Sequence, residues 1–447
     1  MQSFALCCSI LGGFILSFGL ISLFIKERLY IAETTVATLY GIICALICKD
    51  QKDTLPVESL KNTQFMFHFS HIVLSLQLVA VGVTVPKIFM KKNWKPLMVL
   101  LLPVMMIMYA VSSIIIKYVF SMDWLPAMMI GACITPTDPV LASAVIKGKF
   151  ANKYIPSRLR YLLAVESGAN DGLGFPLLVL PILLMQFKDS TEPVAGALRK
   201  WCIHTWGFEI LFAIVIGAVI GALARILLKY SVKKMLIDKE SFLAYSLALA
   251  ILVTGITAKM ESDDLLAVFV SGLFFAWDEE MVMDMKNSHV MEVVDLLFNQ
   301  SFFIVLGIIL PLDVLGWKSM LASVLILVFR RMPALLLMQL CGFLPEFTTR
   351  EILFAGWFGP IGVGAIFFAY HSMHELNSID KELADSVLEI VQAIVFSSIV
   401  VHGTTAPIIH MHLRRKQKKH KKTVINIYES DTEIERDNEN AQLQEII

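Results

Sequence analysis

Charge is what this sequence has least of. Asp, Glu, Lys and Arg supply 17% of its 447 residues, while apolar side chains supply 57%. A water-soluble domain cannot hide that much apolar surface, so a chain solvated on all sides is excluded. Neither sign is in excess. Lys+Arg and Asp+Glu are both 38, so net charge offers no footprint for nucleic acid, and none is expected as a partner. Paired cysteine spacing is also missing. Cys7, Cys8, Cys44, Cys48, Cys133, Cys202 and Cys341 fall almost entirely inside apolar runs, which excludes a disulfide frame or a zinc site. The N-terminus lacks the basic stretch of a signal peptide. The apolar run 3–25 is too long for a signal core and reads as a membrane helix.

What remains is apolar length. Mean hydropathy is +0.70. Read in units of roughly 20 apolar residues, the chain divides into about thirteen spans. They run from 3–25 to 386–410. The fifth is 124–146, the sixth 160–186, the eleventh 317–344 and the twelfth 351–371. Helix is the only conformation open to such runs, because lipid cannot satisfy exposed backbone groups. The fold class is therefore an all-α polytopic membrane protein in a lipid bilayer. Basic residues collect in alternate loops, as at Lys87, Lys91, Lys92 and Lys95, and again at Lys147, Lys149 and Lys153. That bias places the C-terminus in the cytoplasm and the N-terminus outside. Residues 1–412 form the membrane domain. Residues 413–447 read as a short disordered cytoplasmic tail, basic and then acidic. Its basic run, Arg414 to Lys422, serves as a topology anchor or binds anionic lipid.

Four polar motifs interrupt the apolar spans. The first is Thr135-Pro136-Thr137-Asp138-Pro139 in the fifth. The two prolines remove backbone donors and clash with the preceding turn, so the helix must break. A break at membrane depth survives only where it is packed in protein or lines a cavity. It frees carbonyls beside a carboxylate and two hydroxyls, the oxygen ligands that hard cations prefer. The second motif is Glu166-Ser167-Gly168-Ala169-Asn170-Asp171-Gly172 in the sixth span. Glu166 and Asn170 share one helix face, and Ser167 and Asp171 share the next. A buried bare carboxylate must be neutralised, and either a proton or a cation can do so. Competition between the two at Asp171 is an exchange mechanism in outline.

The third motif is Arg330-Arg331 in the eleventh span. An arginine at that depth needs a buried anion. Pairing of Arg331 with Glu166 leaves Asp171 free to titrate, while Arg330 pairs elsewhere or snorkels. The fourth is Gly359-Pro360-Ile361-Gly362-Val363-Gly364 in the twelfth span. Interrupted helices at matching places in two halves point to two inverted repeats with crossed broken helices, segments five and twelve. Three further residues carry weaker signals. Asp263 and Asp264 are candidates for a cation entry funnel. His371 ends segment twelve and titrates near neutral pH in its ordinary state.

At these residues the chain resembles the monovalent cation–proton antiporters, most closely the fungal plasma-membrane sodium/proton antiporters. Thr135–Pro139 looks like their unwound-helix motif, and Glu166–Asp171 like their Glu-Ser-x-x-Asn-Asp motif. The resemblance implies that Asp171 and Asp138 coordinate the cation, helped by the Thr137 carbonyl and the Ser167 hydroxyl. It implies that Glu166 pairs with the arginine matched here by Arg331. It further implies a homodimer whose core bundle moves against a dimerisation scaffold. No cofactor is called for, because Na+ or Li+ and H+ are cargo, and no enzymatic activity is expected. Asn170-Asp171 offers one titrating acid where some relatives have two, which suggests one-for-one electroneutral exchange. The tail is shorter than in many fungal relatives. Ile361 stands where many animal relatives carry an arginine. Other readings are a potassium-preferring antiporter of an internal membrane, a cation channel, and an intramembrane aspartyl protease using Asp138 and Asp171. The last lacks the Gly-x-Gly-Asp sequence of that class.

Overall fold

A computed structural model describes residues 2–29, 31–48, 60, 62–146, 155–277, 290–312, 315–377, 379–405 and 407–408. The basic and acidic tail lies outside the described residues. Among those described the fold is helical, with no strand. Seven helical stretches among the described residues are long and apolar enough to cross a membrane, the longest spanning Lys87–Phe120 and Pro193–Lys233, and one of them, Trp317–Leu340, is interrupted. Shorter apolar helices fill the remaining segments in the expected order. The first helix, Gln2–Phe24, leaves Leu16, Leu20 and Leu23 exposed, as suits a lipid-facing helix.

Packing inside the bundle depends on close backbone approach. A side chain on Gly41 would collide with the backbone at Ile304 and Gly307, because Glu33–Ile47 lies directly on Val290–Ile309. Gly82 and Gly272 likewise bring Thr63–Thr84 onto Asp264–Phe275. Small residues at such crossings let dispersion forces hold helices together where lipid supplies no hydrophobic drive. The apolar run 264–277 is shorter than a membrane span needs. Its helix, Asp264–Phe275, has 12 residues and is buried almost throughout, so it packs inside protein rather than against lipid.

Segments five and twelve break where expected. Trp124–Cys133 stops before Thr135, and Pro139–Ile146 restarts after Asp138. Thr349–Trp357 stops before the glycine-rich stretch, and Val363–Leu376 restarts after Gly362. The two breaks touch. The Asp138 amide donates to the Pro360 carbonyl at 2.9 Å, forming the crossed pair expected of two inverted repeats. Segment eleven differs from expectation. It is not one helix but two, Trp317–Phe329 and Met332–Leu340, interrupted at the paired arginines. Pro333 is the cause, since it has no amide to donate and its ring crowds the preceding turn.

Candidate functional site

The crossing of the two broken segments is organised by opposite charges. Asp138 is 2% exposed and uses both carboxylate oxygens. One accepts the amides of Val140 and Leu141 at 2.8 Å each, capping the half-helix that Pro139 opens. The other accepts the Val363 amide at 2.8 Å, capping the half-helix of segment twelve. A single carboxylate therefore serves two helix N-termini, each carrying roughly half a positive charge. Arg330 does the converse. Its guanidinium donates to the carbonyls of Ile134 and Gly359, where the two preceding half-helices have ended. The choice of Arg331 for Glu166 left Arg330 without a partner at the level of sequence, and the structure supplies one at each break.

Arg331 meets Glu166 in a two-pronged ion pair, at 2.5 and 2.6 Å, with both side chains buried. Its Nε donates to the Ala355 carbonyl at 2.8 Å, and Gly359 leaves room for its side chain. The Glu166 charge is matched on the spot.

Asn170 folds back on the first break. Its amide nitrogen donates to the Thr137 hydroxyl oxygen at 2.9 Å, and its carbonyl accepts the Thr137 amide at 3.3 Å. The Thr137 hydroxyl also lies 3.0 Å from the Ser167 hydroxyl. Thr137, Ser167 and Asn170 thus form one polar knot between Ser157–Leu173 and the unwound stretch. Asp171 lies beside it and behaves differently. It is 1% exposed, and neither carboxylate oxygen has a hydrogen-bond partner among the described residues. Gly364 packs against it so closely that any side chain there would overlap the carboxylate. A buried carboxylate with both oxygens open is a site for a proton or a small cation, because nothing else at hand offsets its desolvation.

The weaker candidates lie apart from the crossing. Asp263 caps its own helix by accepting the Leu266 amide at 3.0 Å, and its second oxygen is buried without a partner among the described residues. Asp264 lies 2.5 Å from Nε2 of His71. His371 sits among aromatic rings, 5.3 Å from Phe175 and 6.1 Å from Phe67 between centroids. Three polar residues of the surroundings escaped the sequence reading: His71, Ser398 and His402. All lie inside apolar spans, and an isolated polar side chain at that depth was the signal available.

The profile of the transmembrane sodium/hydrogen exchanger family matches residues 13–412. A "Probable Na(+)/H(+) antiporter" of Schizosaccharomyces pombe is 37% identical, over 90% of this chain and 55% of its own length. An Na+/H+ antiporter of Saccharomyces cerevisiae is 35% identical, over 89% of this chain and 42% of its own length. The chain thus spans about half the length of these relatives. The solved structure of the sodium proton antiporter MjNhaP1 from Methanocaldococcus jannaschii superposes with a TM-score of 0.69 at 19% identity, covering 91% of this chain and 99% of that one. What that structure shares with this chain is the fold.

Proposed function

The chain belongs to the sodium/hydrogen exchanger family, and from that membership we propose that it exchanges Na+ or Li+ for H+, with Asp171 as their shared binding group. The observation that carries this is the open, buried carboxylate of Asp171. With Glu166 held by Arg331 and Asp138 engaged by three amides, Asp171 is the acid left to bind cargo. A proton or a cation neutralises it, and the two exclude each other. The bare carboxylate is too costly to carry through a dry barrier, so the site changes sides only when loaded. Obligatory loading is what turns alternating access into exchange.

Asp138, Thr137, Ser167 and Asn170 complete the cage on this reading. Asp138 carries its carboxylate at the crossing of two helix N-termini, where cation binding asks it to share oxygens already accepting amides. Asp263, Asp264 and His371 line the approach. The relatives' names support sodium as the cation. Export of sodium across the plasma membrane by a homodimer, with the C-terminus in the cytoplasm, completes the proposal.

The deciding measurement is proton movement in sealed proteoliposomes on adding sodium, lithium or potassium across a pH series. Release driven by sodium and lithium supports the proposal. Potassium alone driving it would point to the potassium-preferring reading. Sodium current without coupled proton movement would make the protein a channel.

A further inference from the structure

Among the buried polar side chains of Lys381–Thr405, Ser398 and His402 lie one turn apart. Both face the break of segment twelve. The Ile361 amide donates to the Ser398 hydroxyl oxygen at 2.8 Å. His402 Nε2 lies 3.0 Å from the Trp357 carbonyl, and its Nδ1 lies 3.2 Å from the Ser398 hydroxyl and 3.0 Å from the Ser398 carbonyl. A carbonyl faces each ring nitrogen, and a neutral ring can donate to only one; donation from Nε2 to the Trp357 carbonyl is the arrangement that leaves Nδ1 for the Ser398 hydroxyl. In the neutral ring Nδ1 is then an acceptor, and the Ser398 hydroxyl is free to donate to it. With the proton on Nε2, the Trp357 carbonyl, Nδ1, the Ser398 hydroxyl and the Ile361 amide all have partners.

The atoms served are ones that lose their helical partners where the helix unwinds. Trp357 ends Thr349–Trp357, and its carbonyl takes the Gly359 amide at 3.1 Å and the His402 ring in place of the Ile361 amide, which lies in the non-helical stretch. Lipid offers no replacement for either bond. Between these two anchors, Pro360 accepts the Asp138 amide, and just beyond them Val363 donates to the Asp138 carboxylate. Gly364, against Asp171, follows directly. His402 and Ser398 thus grip the strip of backbone that shapes the floor of the site, from a helix that supplies none of the acids there.

We propose that His402 and Ser398 are positioning residues of the exchange site. They hold 357–361 in the shape that presents the Val363 amide to Asp138 and the Gly364 backbone to Asp171. The affinity for the cation follows from that shape. The proposal rests on the exchange reading above.

Its test uses the full chain in proteoliposomes, with half-saturating sodium and maximal rate measured per folded transporter. His402→Ala is expected to raise half-saturating sodium by about tenfold, the size of one buried hydrogen bond, with a smaller change in maximal rate. His402→Gln keeps an N–H for the Trp357 carbonyl and is expected to return the value to within about threefold of wild type, since the principal bond is restored. Ser398→Ala removes the acceptor for Ile361 and the hydroxyl that faces Nδ1 of His402, and is expected to raise half-saturating sodium too. If His402→Ala does not fold, Ser398→Ala decides. Half-saturating sodium unchanged in the folded fraction of these variants would reduce both residues to a folding role and overturn the proposal. Absence of sodium-driven proton release from wild type would instead refute the exchange reading itself.

Discussion

Three acids at the crossing differ in what surrounds them. Glu166 is spent on Arg331, Asp138 on backbone amides, and Asp171 on nothing among the described residues. Among the described residues Asp171 is the acid with both oxygens open, and Asp171→Asn removes that charge while preserving shape. It is expected to bring sodium-driven proton release down to the level of empty liposomes, with an unchanged elution profile in detergent. Gly364→Ala reaches the same atom from the other side. Its methyl group intrudes on the Asp171 carboxylate, so exchange is expected to fall at least tenfold although the backbone stays helical. Arg331→Ala strands the Glu166 carboxylate in a dry interior. A loss of about 3–5 kcal/mol is expected. Thermal unfolding in detergent should show it as a lower melting temperature, partly recovered when Glu166→Gln is added. Wild-type stability of the single variant would rule out that dependence.

Helix ends set the electrostatics at the next scale. Two N-termini meet at Asp138 and two C-terminal ends meet at Arg330. Each end carries roughly half a charge, so one carboxylate and one guanidinium balance the crossing. Asp138→Asn keeps one acceptor oxygen but places an amide NH2 against backbone donors. Stability is expected to fall by about 1–3 kcal/mol, the cost of a lost cap and a stranded amide. Exchange is expected to be nearly as low as in the Asp171 variant, which a parallel transport assay checks. The two breaks themselves were legible from Pro136, Pro139, Pro360 and the glycines around it. The interruption of segment eleven was not anticipated, although Pro333, two residues past Arg331, marked it. Proline near a span's centre was read as a break in two segments and overlooked in the third.

Across the whole molecule, transport should carry no net charge per cycle. Asp171 is the one open acid at the crossing, since Glu166 is paired, and a single site trades one cation for one proton. Exchange rates measured with the membrane potential clamped at different values are expected to be equal. A steep dependence on voltage would sink the one-for-one stoichiometry. The same architecture explains where precision is needed. The crossing is anchored by segments five, six, eleven, twelve and thirteen together, and bonds such as Arg330 to Ile134 join residues far apart in the chain.

The sequence by itself determined that this chain lives in a membrane as helices, because lipid tolerates no unpaired backbone along such apolar runs. It also determined which spans carry polar groups, since acids and arginines at that depth stand out against their neighbours. Only the tertiary structure decided which acid is open. The Val363 amide that occupies the second oxygen of Asp138 and the clamp on the second break come from other segments. Spacing along one helix says nothing of what a distant helix will offer. Asp171 is distinguished by the absence of such partners, a property of the assembled crossing.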